Sequence, residues 1–128
     1  MSERPGFSWE ALEFLEVLGV VPKEEEDGVS FHYVVVRTPL RLELTVWPMD
    51  SDVAISLYCA PQVEPVFNLN LVDCPGARVV NDKRGKFIEF AAASNMFARR
   101  YDRSSPAPYG FRLWVETHIQ VEPYAYQT

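Results

Sequence analysis

Apolar and polar positions alternate most cleanly between Phe111 and Val121 (FRLWVETHIQV). Phe111, Leu113, Val115, Thr117, Ile119 and Val121 fall on one side of an extended chain. Arg112, Trp114, Glu116, His118, Gln120 and Glu122 fall on the other. A period of two predicts one long strand over 111–122, with one face on a core and the other in water. The same pattern predicts strands at 40–47, where Leu40, Leu42, Leu44 and Val46 alternate with Arg41, Glu43, Thr45 and Trp47, and at 66–72. Residues 30–37 and 53–60 read as strands that are apolar on both sides. A hairpin is expected from 78–80 and 86–92 around the turn 81–85.

The period changes near the N-terminus. Ala11, Leu12, Leu15 and Leu18, widened by Phe14 and Val17, follow helical spacing, with Glu10, Glu13 and Glu16 opposite. Ser8 is a suitable N-cap and Phe7 can staple onto Leu12, so the helix is expected over 8–18. Gly19 stops it and Pro22 prevents a restart. Residues 23–28 (KEEEDG) read as a charged connection. The segment 86–101 keeps two readings: strand over 86–92 is preferred, and a second helix is the alternative, since Phe87, Phe90, Ala91, Ser94 and Ala98 also fit a helical stripe. At Thr38-Pro39 a trans proline cannot take the positive φ of a primed two-residue hairpin, so a wider turn or a corner is expected.

Seven short strands and one helix predict a mainly β domain: an antiparallel β-sandwich or strongly curled sheet with an N-terminal amphipathic helix. The alternative is an α+β arrangement with the second helix. At 128 residues and 14.7 kDa the whole chain, 1–128, reads as one domain. Its 48% apolar content excludes a disordered class. No run is long and apolar enough to span a bilayer, and MSERPGFSWE lacks the basic and apolar regions of a signal peptide. A cytoplasmic protein with reduced Cys59 and Cys74 is expected.

Charge adds one asymmetry. Of 18 acids and 12 bases, eight acids and two bases lie in residues 1–28, leaving ten of each for the rest. The net charge of −6 therefore belongs to the N-terminal segment, and the neutral remainder does not suit a nucleic acid. Glu24 to Asp27 is a solvated turn in the plainer reading; in the other it steers a basic partner protein.

The candidate chemistry is sparse. His32, His118, Cys59 and Cys74 could complete a tetrahedral metal shell, but no two stand at a ligand-pair spacing, so no metal site or cofactor is expected. No GxSxG, HExxH, GxGxxG or P-loop pattern occurs, and no catalytic residue is assigned. The aromatics say more. Trp47 and Trp114 lie on the polar side of clean alternations, next to Arg41 and Arg112. Trp and Arg on a wet face are enriched at protein interfaces, unless a second layer covers that face. The expected binding residues are thus Trp114, Arg112, His118, Trp47 and Arg41.

The helix, Gly19-Val20-Val21, the acidic Glu26-Asp27-Gly28 turn and the three strands after it resemble the opening of bacterial type III secretion chaperones over residues 10–60. The resemblance implies a small, acidic, usually dimeric partner-binding protein. The second half departs from it, with a strand at 111–122 where that family has a helix. A non-enzymatic bacterial protein-binding domain is therefore expected, whether accessory, immunity-like or chaperone-like. A small-molecule or lipid carrier with an apolar β cavity is the alternative, and a small enzyme using His118 with Glu116 comes last. A homodimer is compatible with all three, since a strand over 111–122 would outrun its neighbours and could pair across a two-fold axis.

Overall fold

In the computed structural model, which describes residues 7–92, 103–104, 106–107 and 109–125, the chain forms one helix and two antiparallel sheets. The helix α1 covers Ala11–Leu18. The strands are β1 (Lys23–Glu25), β2 (Ser30–Arg37), β3 (Leu40–Trp47), β4 (Asp52–Cys59), β5 (Phe67–Leu71), β6 (Ala77–Asp82), β7 (Gly85–Ala91), β8 (Tyr109–Trp114) and β9 (Gln120–Ala125). The first five make one sheet in sequential order and the last four make the other. The fold is mainly β, two layers without closure into a barrel, as expected from the sequence.

The core lies between the layers. Tyr33, Val35, Leu42, Leu44, Val46, Val53 and Ile55 from the first sheet meet Ala77, Ile88, Phe90, Leu113 and Val115 from the second, all at 1% exposure or less. Phe14, Val17 and Leu18 bring α1 into the same cluster, and Trp9 links it through Phe14 and Phe31 at ring centroid distances of 4.8 and 5.2 Å. Alternation in β3 and β4 works because the period-two set faces this layer.

Several expectations are corrected. The helix begins at Ala11, not at 8: Glu10 is the N-cap, its side chain accepting from the Leu12 N–H at 3.3 Å. Ser8 is instead extended, giving its N–H to the Pro75 carbonyl and taking the Ala77 N–H in a short parallel bridge. Phe7 joins the core while Leu12 stays 67% exposed, so no staple forms. The buried stripe is Phe14, Val17 and Leu18, rotated from the one the spacing suggested. Gly19 does end the helix, in the left-handed conformation at φ 71°.

The segment 23–28, expected as a connection, holds the edge strand β1 and a short 3-10 turn. Thr38-Pro39 is a tight two-residue turn after all, since Arg37 pairs with Leu40. Its peptide bond is cis, the geometry that puts proline at the third position of a type VI turn. Residues 85–91 are strand, as preferred, and the helix proposed over 86–101 otherwise falls outside the described residues. Nine strands replace the expected seven, because β1 is added and 111–122 is not one strand. It breaks at Val115 and returns as β9, with Trp114 paired to Gln120 and Leu113 to Val121. The overhanging edge that motivated a homodimer does not exist.

Two neutral groups sit deep in the layers. Burial pushes the Cys74 thiol, a donor to the Ala91 carbonyl at 3.0 Å, from 9.0 up to about 12, and raises the Tyr33 hydroxyl from 10.0 to about 12. Both stay protonated in the fold while the unfolded chain ionises. Their contribution is intact below pH 9 and is lost as the pH rises from about 9 to 12. Three pKa steps at Cys74 correspond to roughly 4 kcal/mol by pH 12. Urea midpoints are expected to fall steeply above pH 9, and Cys74→Ala is expected to flatten that fall. At pH 8 the half-buried Cys59 should alkylate and Cys74 should not.

Candidate protein-binding face

The two sheets turn very different outer faces outward. On the four-stranded sheet the register aligns Arg78, Glu89, Arg112 and Glu122 across β6 to β9, with alternating sign. Arg78 Nε donates to Glu89 Oε1 at 3.0 Å and Arg112 Nη1 to Glu122 Oε1 at 2.8 Å. Glu89, 1% exposed, also takes the Ala107 N–H at 3.2 Å. In the next row Phe87 packs on Trp114 at 4.7 Å. Arg84 reaches back from the β6–β7 turn to lie 5.2 Å from both rings, and Arg112 stacks on Tyr124 at 4.2 Å.

This assembly corrects the expectation of a wet face. Trp114 is 7% exposed and Arg112 8%, so both belong to a second buried layer. The alternation on β8 fails because Phe87 on the neighbouring strand makes the outer side apolar as well. His118 stands apart in the exposed bend between β8 and β9. Its Nδ1 lies 3.0 Å from Thr117 Oγ1 and its Nε2 2.9 Å from Gln120 Oε1, so its recorded partners are a hydroxyl and an amide.

The outer face of the five-stranded sheet is the open one. Side chains of His32, Val34 and Val36 on β2 lie beside Thr45, Glu43 and Arg41 on β3, and these beside Ala54, Ser56 and Tyr58 on β4. Val34 and Val36 are 40% and 56% exposed, and Arg41 lies over the Tyr58 ring at 4.2 Å. Glu43 accepts from Arg41 Nε at 3.0 Å and lies 3.5 Å from His32 Nε2, while His32 Nδ1 is 2.6 Å from Thr45 Oγ1.

A groove opens at each end. The first, about 500 Å³, is formed by Val36, Pro39, Arg41, Tyr58, Pro61 and Val63. The Ala60 N–H donates to the Pro39 carbonyl at 2.9 Å and holds its two loops together. The second, about 340 Å³, lies among Trp47, Asp50, Asp52, Asn70 and Val72.

Arg41 and Trp47 therefore share one face, six residues apart on β3 and so about 20 Å apart. Arg112, Trp114 and His118 belong to the other sheet. Tyr58, Val34, Val36 and the two prolines were not among the expected binding residues. Tyr58 was legible as the residue opposite a core-facing set. The valines were hidden because β2 is apolar on both sides.

No protein-family model matches the sequence, and no curated protein matches it either. Among solved structures the fold is similar to a chain of the contact-dependent growth inhibition toxin–immunity protein complex from Klebsiella pneumoniae 342. The TM-score is 0.72 at 11% identity, covering 94% of this chain and 97% of that one. At this identity the likeness is one of fold.

Proposed function

We propose that the chain is a non-enzymatic protein-binding domain of the immunity type, which occupies a partner protein in the cytoplasm instead of transforming a substrate. The observation that carries this reading is the open outer face of the five-stranded sheet. Arginine, tyrosine, tryptophan and valine side chains stand there between two grooves, the residue types that anchor protein interfaces. The similar fold within a toxin–immunity complex supports it, since either member of such a complex works by binding a protein.

Thr45, His32 and Glu43 favour a second reading, because a hydroxyl, an imidazole and a carboxylate in sequence resemble a nucleophilic relay. However, Thr45 lies on the middle strand, where β2 and β4 take up the backbone ladder on both sides. No adjacent N–H pair there is left to hold an oxyanion, which acyl transfer requires. Docking is the stronger reading. The described grooves also open on the outer face and not between the sheets, which gives the carrier reading little support.

The test begins with affinity capture from a native bacterial extract, identification of the captured protein and titration of its purified form. Tyr58→Ala is expected to weaken that complex at least 30-fold, near the 2 kcal/mol of an anchoring residue, and Trp114→Phe to leave it unchanged. A partner bound equally well by wild type, Tyr58→Ala and Trp47→Ala would overturn the reading.

A further inference from the structure

The strand register sorts charge along the open face. Glu25 pairs with Ser30, Trp47 with Asp52, and the flanking pairs put Ser30 beside Trp47 and Asp52 beside Val72. One end of the five-stranded sheet thus gathers β1 with its Glu24 and Glu25, the turn residues Glu26 and Asp27, and the Trp47 groove with Asp50 and Asp52. Lys23, paired with His32, stands one row further in. The opposite end carries Arg37 and Arg41 and the apolar groove of Val36, Pro39, Tyr58, Pro61 and Val63. The acidic excess of the N-terminal segment is thereby joined to two aspartates more than 20 residues away in sequence. An aromatic wall stands among them.

We propose that this face docks a basic protein, with a lysine or arginine of the partner seated on the Trp47 ring between Asp50 and Asp52. An apolar side chain of the same partner fills the Tyr58 groove, about 20 Å away along β3. The inference rests on the protein-binding reading and specifies the partner's chemistry. A guanidinium or ammonium over an indole gains cation–π attraction, strongest with tryptophan, and the carboxylates add charge complementarity. The acidic edge β1 and its turn, on the flank of the same end, steer the approach of a basic surface without contacting its anchor. At the other end Arg41, stacked on Tyr58 and held by Glu43, keeps that ring upright beside the groove.

A hexa-arginine peptide titrated into ¹⁵N-labelled full-length protein at low salt tests the cationic half, with hexa-glutamate as control. Saturable shifts are expected at the Trp47 indole N–H and the Asn70 amides. Affinity is expected to fall at least ten-fold in Asp50→Asn/Asp52→Asn, which keeps the Asp52 oxygen that accepts the Asp73 N–H. Glu24→Gln/Glu25→Gln is expected to change it less than three-fold. Shifts confined to residues 24–27, or equal in both peptides, would overturn the inference. If arginine ignores the Trp47 groove while a purified partner still depends on Tyr58, this inference fails and the protein-binding reading stands. If arginine binds the groove while the partner is indifferent to Tyr58, the groove stands and the two-anchor face fails.

Discussion

Gly110→Ala is expected to destabilise the fold by about 4 kcal/mol or more, enough to leave little folded protein at 37 °C. Gly110 opens β8 and pairs with Ala91, while Phe111 pairs with Phe90. A β-carbon at residue 110 would run into the Phe90 carbonyl oxygen, with the Phe90 carbonyl carbon at 3.0 Å and the Ala91 Cα at 3.2 Å. The obstacle is the backbone of a paired strand, so no rotamer change relieves it, and β7 and β8 must separate. Separation would open the Phe87–Trp114 pair on one side and the Ile88–Leu113 pair on the other.

Gly85→Ala is the matched control. Gly85 sits at φ 100° with nothing within 4 Å of an added β-carbon, so only the conformational penalty, about 1 kcal/mol, applies. Urea unfolding followed by tryptophan fluorescence separates the two. Equal midpoints for both variants would show that the close approach is not required.

The second large effect is expected at Glu89. Glu89→Leu removes the carboxylate that meets both the Arg78 guanidinium and the Ala107 N–H, leaving a largely buried cation and a buried donor. Removing one partner of such a pair costs about 3–5 kcal/mol. The Arg78 side chain keeps 19% exposure, which places the expected loss near the lower end, about 3 kcal/mol. Arg78→Leu/Glu89→Leu is expected to recover most of it, because apolar replacement of both charges leaves only the Ala107 donor unmet. A double variant no more stable than Glu89→Leu would show that Arg78 contributes little. Either way, the mixed aromatic and charged layer on β6 to β9 would be established as structural.

That layer also marks where reading the residues in order stops working. The pattern located β2 and β3 to the residue, because each is a single run ended by a turn. It missed the break at Val115, since apolar residues resume in phase at Ile119 and Val121 after the bend. It placed Trp114 and Arg112 in water, although Phe87, Arg84 and Tyr124 close over them from β7, its turn and β9. Of the expected binding residues, Arg41 and Trp47 lie together on the open face because both are on β3. Their partners Tyr58 and Asp52 come from the next strand, and only the register brings them alongside.

The sequence by itself determined the mainly β class, most of the strands, the helix stop at Gly19 and the confinement of the excess negative charge to the N-terminal segment. These follow from local periods and from the φ that glycine allows. Only the tertiary structure decided which sheet face stays open, which tryptophan is covered and which acids stand around Trp47. Alternation fixes only that a strand has two sides. What covers each side is supplied by segments far along the chain, and burial depends on that cover.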